Sequence, residues 1–206
     1  MNWIEKMYRL NGKDMYSQNS EGYYLEYIFD NIYVHPHEKR FIDIGGGDGF
    51  YLSNTRHLDN LGWSGRVLDR ENGIDITIQN VQEFIEFNPA VLSIDIDGND
   101  FWIIDEILKA QKPAVIIAEF NASYIDSRAI KYNPLHEWAG DSYYGFTFKA
   151  GEKLAELHGY KVIFQIADMN MIMVRADLIE GLYVPPVTYK QSDYFKMSER
   201  TDWITV

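Results

Sequence analysis

The chain of 206 residues contains no cysteine. Its absence removes disulfides, thiolate zinc sites and sulfur nucleophiles from every mechanism open to the protein, and fits a reducing cytoplasm. Basic residues are in the minority, 19 Lys and Arg against 31 Asp and Glu, for a formal net charge of −12. A surface of that sign repels phosphate backbones and anionic lipid, so neither nucleic acid nor a membrane surface is the expected partner. Long apolar runs are missing as well. Ala114 to Ala118 is typical of the longest, far below the roughly 18 residues of a membrane span, and Met1 to Leu10 already carries Glu5, Lys6 and Arg9. We expect a soluble, cytoplasmic protein with a small or neutral partner. At about 150 residues per domain, residues 1–206 make one domain: a helical arm over about 1–38, a core over 39–178 and a tail over 179–206.

The hydrophobic pattern alternates between two periods. Tyr24, Leu25, Ile28 and Ile32 form one helical stripe, so Glu21 to about Asn31 is the first predicted helix, with Pro36 beyond it. The run Phe41 to Ile44 reads as a strand, and Tyr51, Leu52, Thr55, Leu58 and Leu61 resume helical spacing after a glycine cluster. Strands follow at Arg66 to Asp69, Ile74 to Ile76, Val91 to Ile96 and Ala114 to Ala118. Helices intervene around Ile78 to Ile85 and Phe101 to Leu108, and a last one covers Phe148 to His158. Val162 to Ile166 and Met171 to Val174 then read as a terminal antiparallel hairpin. Strands linked by helical crossovers build an α/β fold: an open, mostly parallel sheet covered on both faces, here of seven strands. In such sheets ligands sit beyond the carboxyl ends of the strands, after Ile44, Leu68, Ile94 and Ala118.

Polar residues cluster at those positions. The first reads Asp43-Ile-Gly-Gly-Gly-Asp-Gly49, with glycines at 45, 47 and 49. A dinucleotide turn, G-x-G-x-x-G, wants its third glycine at position 50, where Phe50 stands; this disfavours a nicotinamide-dependent reductase. The acid-x-G-x-G-x-G spacing resembles that of class I methyltransferases, and the resemblance implies a turn that embraces the amino-acid and ribose portions of S-adenosylmethionine, with Asp43 reaching the cofactor's amino group. Asp69, 20 residues past Gly49, stands at the usual offset of a ribose-binding acid, with Glu71 as its competitor.

Two further strand ends are rich in oxygen. Asp95, Asp97 and Asp100 fall within six residues, and Glu119 and Asn121 end the next strand. Residues i and i+2 share a strand face, so Asp95 with Asp97 and Glu119 with Asn121 each project as a pair. Four oxygen ligands on neighbouring strands suit Mg²⁺ or Mn²⁺; a turn, a helix cap and a carboxylate facing a sulfonium explain the same acids without metal. The long segment Asn121 to Gly145 carries Tyr124, Tyr132, Trp138, Tyr143 and Tyr144 and reads as a substrate lid or a packing loop. Within it His136 is a candidate general base or a surface histidine. His35 and His37 flank Pro36 and offer imidazoles to a metal or mark a turn. The aromatic tail from Tyr183 either wraps the domain or mediates a dimer.

Ser17-Gln18-Asn19, Leu25-Glu-Tyr-Ile-Phe29, the glycine turn with Leu52-Ser-Asn-Thr55, Gly62-Trp-Ser-Gly65, Ser93-Ile-Asp-Ile-Asp-Gly-Asn-Asp100, Glu119-Phe-Asn121 and Tyr144-Gly145 occur in that order. As a set, over about Met15 to Leu178, they resemble the FkbM-like branch of class I S-adenosylmethionine-dependent methyltransferases. The resemblance implies a Rossmann-like seven-stranded sheet and methyl transfer to a hydroxyl of a small molecule or saccharide. It also implies cofactor binding by Asp43, Gly45, Gly47, Gly49, Asn54, Asp69 and Asp95. Asp95, Asp97 and His136 are the candidate catalytic residues, and Asp95, Asp97, Glu119 and Asn121 the candidate metal ligands. A looser likeness is to cation-dependent O-methyltransferases of the caffeoyl-CoA type. Asp95 and Asn121 stand at matching positions there, while Phe120 replaces an acid and Glu119 comes one place earlier. A non-catalytic module that binds the same cofactor is the alternative reading.

Overall fold

The computed structural model describes residues 1–35 and 38–206; the pairing of His35 with His37 as metal ligands therefore lies outside the described residues. Two helices open the chain, α1 (Trp3–Met7) and α2 (Glu21–Phe29). Then come β1 (Arg40–Ile44), α3 (Arg56–Asn60), β2 (Ser64–Leu68), α4 (Val81–Phe84), β3 (Val91–Ile94), α5 (Asp100–Ala110) and β4 (Val115–Glu119). A two-residue strand β5 (Arg128–Ala129), helix α6 (Phe148–His158), the hairpin β6 (Tyr160–Ile166) and β7 (Asn170–Arg175), and the short β8 (Ile204–Thr205) complete it.

The central sheet has six strands in the order β2-β1-β3-β4-β7-β6. The first four run parallel, and β7 and β6 close the edge antiparallel. Alternate residues feed two hydrophobic clusters, as the two-residue strand period requires. Ile42, Leu92, Ile116 and Met173 join α4, α5 and α6 in one; Phe41, Val91, Val115, Ile172 and Val174 join α1, α2 and α3 in the other. Strand β4 is buried along its whole length, which is why its sequence is a continuous apolar run rather than an alternating one.

Two expectations are corrected. The sheet has six strands rather than seven because Ile74 to Ile76 forms none. There the Asp75 carbonyl is taken by the Asn80 side chain at 2.8 Å and Asn80 Oδ1 accepts from the Thr77 amide at 2.7 Å. Local side-chain bonds thus occupy groups that a ladder would need. The helix after the glycine turn likewise starts only at Arg56. Asp48 Oδ1 accepts from the amides of Phe50 and Tyr51, Leu52 is left-handed at φ 58°, and Ser53 Oγ accepts from the Thr55 and Arg56 amides.

Register is what builds the site. Leu68 pairs with Ile44, Ile44 with Ile94, Ile94 with Ala118, and Glu119 with Asn170. One step further along the parallel strands, Asp69, Gly45, Asp95 and Glu119 form a single row, which Asn170 extends on β7.

Candidate active site

The row opens onto a cleft with two lobes that share Gly45, Asp95 and Asp97. One lobe, of about 210 Å³, is walled by Leu68, Ile74, Ile76 and Ile96, with Asp69, Arg70 and His136 at its rim. The other, of about 360 Å³, is walled by Gln18, Gly46, Gly47, Asn54, Glu71 and Asn170. Together they fall in the range of roughly 300–1,000 Å³ usual for small-molecule sites.

The glycine turn earns its composition at two positions. Gly45 is left-handed at φ 86°, and a Cβ there would lie 1.7 Å from the Asp95 carbonyl oxygen; the close approach of the β1 and β3 ends requires its absence. Gly47 is left-handed at φ 55° but open, its nearest neighbour to a built Cβ being Glu71 Oε2 at 3.9 Å. Its bare backbone is a cradle that a side chain would fill, which fits a ligand laid against the turn. Gly49 packs instead against Val67.

Asp43 is 2% exposed. Its Oδ2 accepts from Thr55 Oγ1 at 2.8 Å and Ser53 Oγ at 3.1 Å, so its contacts brace the limb that follows the turn. Burial raises its pKa, and the hydroxyls of Ser93, Thr55 and Ser53 oppose that rise. Asp69 is also committed: Oδ2 accepts from the Gly47 amide at 2.9 Å and Oδ1 from the Glu71 amide at 2.7 Å. It fixes the turn, while the Glu71 carboxylate lines the cleft. Asn54, in the second lobe, donates to Ser93 Oγ at 3.3 Å.

Asp95, Asp97 and Glu119 converge, each offering an oxygen within 4.8 Å of the others. Burial drives the Asp95 and Glu119 carboxyls well above the ordinary carboxylate range, and mutual repulsion adds to it. Asp97, left-handed at φ 53°, is pushed up to about 6 by burial and by Asp100. Asp100 is fully buried and accepts from the Ile96 amide at 2.9 Å and the Gly98 amide at 2.8 Å, which secures the turn carrying Asp97. Asn121 does not turn towards this cluster. Its Nδ2 donates to the carbonyls of Ser142 and Tyr144, both at 2.9 Å, and its Oδ1 accepts from the Ser123 amide at 3.0 Å. It ties the two ends of the 121–145 loop together.

His136 is 7% exposed rather than a surface histidine. Its ring lies over Gly98, where a Cβ would approach Cδ2 to 2.6 Å, and burial lowers its pKa. Three buried side-chain atoms around the cleft have no hydrogen-bond partner: Glu119 Oε2, His136 Nε2 and Asn170 Oδ1. Unpaired buried polar atoms are rare because each costs about 1–3 kcal/mol, and three of them gather at this cleft.

Sequence reasoning did not find Asn170 or Glu21, and for the tail it left wrapping the domain and mediating a dimer both open. Glu21, fully buried, accepts from the Asn19 amide at 2.7 Å and from Asn170 Nδ2 at 3.0 Å, clamping the N-terminal arm to β7. No spacing signal marks such a pair, 149 residues apart. The tail wraps the domain: Ser192 and Ser198 amides donate to the Ala122 carbonyl and Ser142 Oγ. Trp203 packs edge-on against Tyr124 and Tyr143, and Phe195 against Trp138 and Tyr144. Tyr144 carries a phenol that burial and the acid cluster keep protonated.

No protein-family model and no curated protein sequence matches the chain. Among solved structures it is similar to an O-methyltransferase family protein from Burkholderia thailandensis, at 11% identity over 66% of this chain and 50% of that one, with a TM-score of 0.42. It is similar also to the CMeT domain of the citrinin polyketide synthase, at 11% identity over 76% of this chain and 51% of that one, with a TM-score of 0.44. The chain spans about half the length of either.

Proposed function

We propose that this protein is an S-adenosylmethionine-dependent methyltransferase acting on a hydroxyl of a small molecule or saccharide. The observation that carries the reading is the row of strand ends. An open, left-handed Gly47 backbone faces a cleft whose neighbouring strands supply acids for a ribose and for a sulfonium. The cofactor supplies a methyl group activated on positively charged sulfur.

The chain's own residues have distinct tasks. Glu71, with Asp69 holding its turn, takes the ribose hydroxyls, and Ile74, Ile76 and Ile96 offer an apolar slot to the adenine. Gly45, Gly47, Asn54 and Gln18 surround the amino-acid portion, and Asp43 keeps the turn in shape from behind. Asp95 faces the sulfonium. In-line displacement at the methyl carbon depends chiefly on positioning, and an alkyl hydroxyl needs its proton removed. The Asp95 and Glu119 carboxyls, held above the ordinary carboxylate range by burial and by each other, are the acids placed to accept that proton. Tyr144 stands by as a neutral donor that orients the acceptor, and His136 closes the side of the cleft beyond Asp97.

Calorimetric titration with S-adenosylhomocysteine tests the cofactor half. One-site binding, weakened at least tenfold in Glu71→Ala, is expected; absence of binding in folded protein refutes the proposal. Transfer of a labelled methyl group from S-adenosylmethionine to a panel of polyols and phenols tests the rest.

A further inference from the structure

The lobe of about 210 Å³ holds a polar atom for which the protein provides no partner. His136 is 7% exposed and lines that lobe with Leu68, Ile74, Ile76 and Ile96, and it is absent from the walls of the other. Its Nε2 is buried without a hydrogen bond.

The ring is held in place by bonds that do not involve Nε2. Asn99 grips the backbone of the 121–145 loop twice: its Nδ2 donates to the Asn133 carbonyl at 2.8 Å, and its Oδ1 accepts from the Asn133 amide at 3.1 Å. Asn133 then turns the chain, its Oδ1 accepting from the Leu135 amide at 3.0 Å and its carbonyl from the His136 amide at 2.9 Å. Arg70 Nη1 donates to the His136 carbonyl at 3.4 Å, and the Tyr132 hydroxyl donates to Gln79 Oε1 at 3.0 Å. Gly98 leaves the space that the ring fills, since a Cβ there would stand 2.6 Å from Cδ2 and 3.5 Å from Nε2. A side chain placed this firmly, with one buried atom unsatisfied, is prepared for a partner.

Chemistry narrows what that partner is. A neutral imidazole carries one donor and one acceptor nitrogen. The ring's donor goes to the Asp97 carbonyl; because Nε2 is unpartnered, the donor is Nδ1 and Nε2 offers a bare lone pair. Burial lowers the pKa of the ring and keeps it neutral. The nearby side-chain donors are spent elsewhere, Asn99 Nδ2 on the Asn133 carbonyl and Arg70 Nε on Asp75 at 2.8 Å. Nε2 is therefore matched to an N–H or O–H carried by a ligand whose body suits Ile74, Ile76 and Ile96. Adenine has such a body, and its exocyclic amine is the donor on its edge, whereas N7 is an acceptor.

We propose that His136 determines specificity for the cofactor's base: Nε2 accepts a hydrogen bond from the exocyclic amine of adenine. This role rests on the methyltransferase reading and deepens it, because the 121–145 loop then takes part in recognising the cofactor. It also makes His136 a binding residue rather than the general base that its residue type suggests.

Calorimetric titration with S-adenosylhomocysteine and with S-inosylhomocysteine, in which a carbonyl replaces the amine, tests this without any methyl transfer. A carbonyl facing the Nε2 lone pair cannot bond to it, so wild-type protein should bind the adenosyl ligand at least about tenfold more tightly. His136→Ala, checked for folding by circular dichroism, should bind the adenosyl ligand at least about tenfold more weakly and bring the two ligands within about threefold of each other. His136→Gln, whose amide oxygen can take the place of Nε2, should keep the preference. Equal affinity of wild-type protein for the two ligands, a comparison that needs no variant, overturns the role, as does a preference undiminished in His136→Ala. Either result leaves the methyltransferase reading standing. Binding of neither ligand by folded wild-type protein refutes that reading, and the role of His136 with it.

Discussion

Adding one methyl group at Gly45 and one at Gly47 should have opposite consequences. At Gly45 an alanine Cβ would lie 1.7 Å from the Asp95 carbonyl oxygen, when contacts under 3.0 Å are essentially never seen. The obstacle is backbone, so the β1 and β3 ends must part by about 1.3 Å. That motion strains the bonds from Gly45 N to the Leu68 carbonyl and from Asp95 N to the Ile44 carbonyl, both 2.9 Å. The left-handed backbone costs an L-residue about 1–2 kcal/mol, and overpacking adds roughly 1–3 kcal/mol. We therefore expect Gly45→Ala to lose about 3 kcal/mol or more. At a few degrees per kcal/mol for a chain of this size, Tm falls by roughly 6–12 °C. Gly47→Ala pays the backbone term alone, about 1–2 kcal/mol, because its Cβ meets nothing closer than 3.9 Å. Its effect falls on the ligand: binding of S-adenosylhomocysteine should weaken at least tenfold, about 1.4 kcal/mol. Urea denaturation and calorimetry on both variants decide the matter. Equal stability of the two would refute the close strand approach, and undiminished binding by Gly47→Ala would refute the cradle.

Asn121→Ala strands the Ser142 and Tyr144 carbonyls in the interior and should cost about 2–4 kcal/mol in urea denaturation. Asn121→Asp should be no better, since a carboxylate cannot donate to them; tolerance of aspartate would instead favour a ligand role. Asp97→Asn should stabilise metal-free protein at pH 7.5 by up to about 3 kcal/mol, from a shift of roughly two pKa units at 1.36 kcal/mol each. The native pKa of about 6 exceeds the ordinary 3.8, so the wild-type stability that Asp97 confers is present below about pH 4 and lost as pH rises through 6. The advantage of asparagine should accordingly fade on acidification in pH-dependent melts. Trp203→Ala removes the aromatic wedge between Tyr124 and Tyr143. It should cost about 2 kcal/mol and speed tryptic cleavage after Lys131; unchanged proteolysis would mean the tail does not secure the loop.

The parallel strands and the glycine turn were legible because a buried strand must be a short apolar run and a tight backbone approach must be glycine. Asp95, Asp97 and Glu119 were legible for a related reason: strand ends in a parallel sheet share an edge, whatever the loops do. The fates of Asn121 and His136 were not, because both depend on where the 121–145 loop returns. Asn121 turns inward to carbonyls 21 and 23 residues away, and no periodicity encodes that distance. His136, a lone histidine in a long loop, read equally as a general base or a surface residue, yet Gly98 leaves room for its ring. Residues 51–55 have helical spacing and no helix, since Asp48 and Ser53 offer the backbone closer partners than the next turn would.

The contact between Gly98 and His136 also bears on how distant relatives of this protein are to be recognised. A residue with any side chain at position 98 would evict the imidazole from its place beside Asp97. The two positions are therefore one character written in two places, 38 residues apart. A chain that keeps the glycine and loses the histidine has altered one wall of the cleft, whereas a chain that replaces the glycine must have rebuilt it. Sorting remote sequences by this pair should separate those with the same cleft from those that share only the sheet.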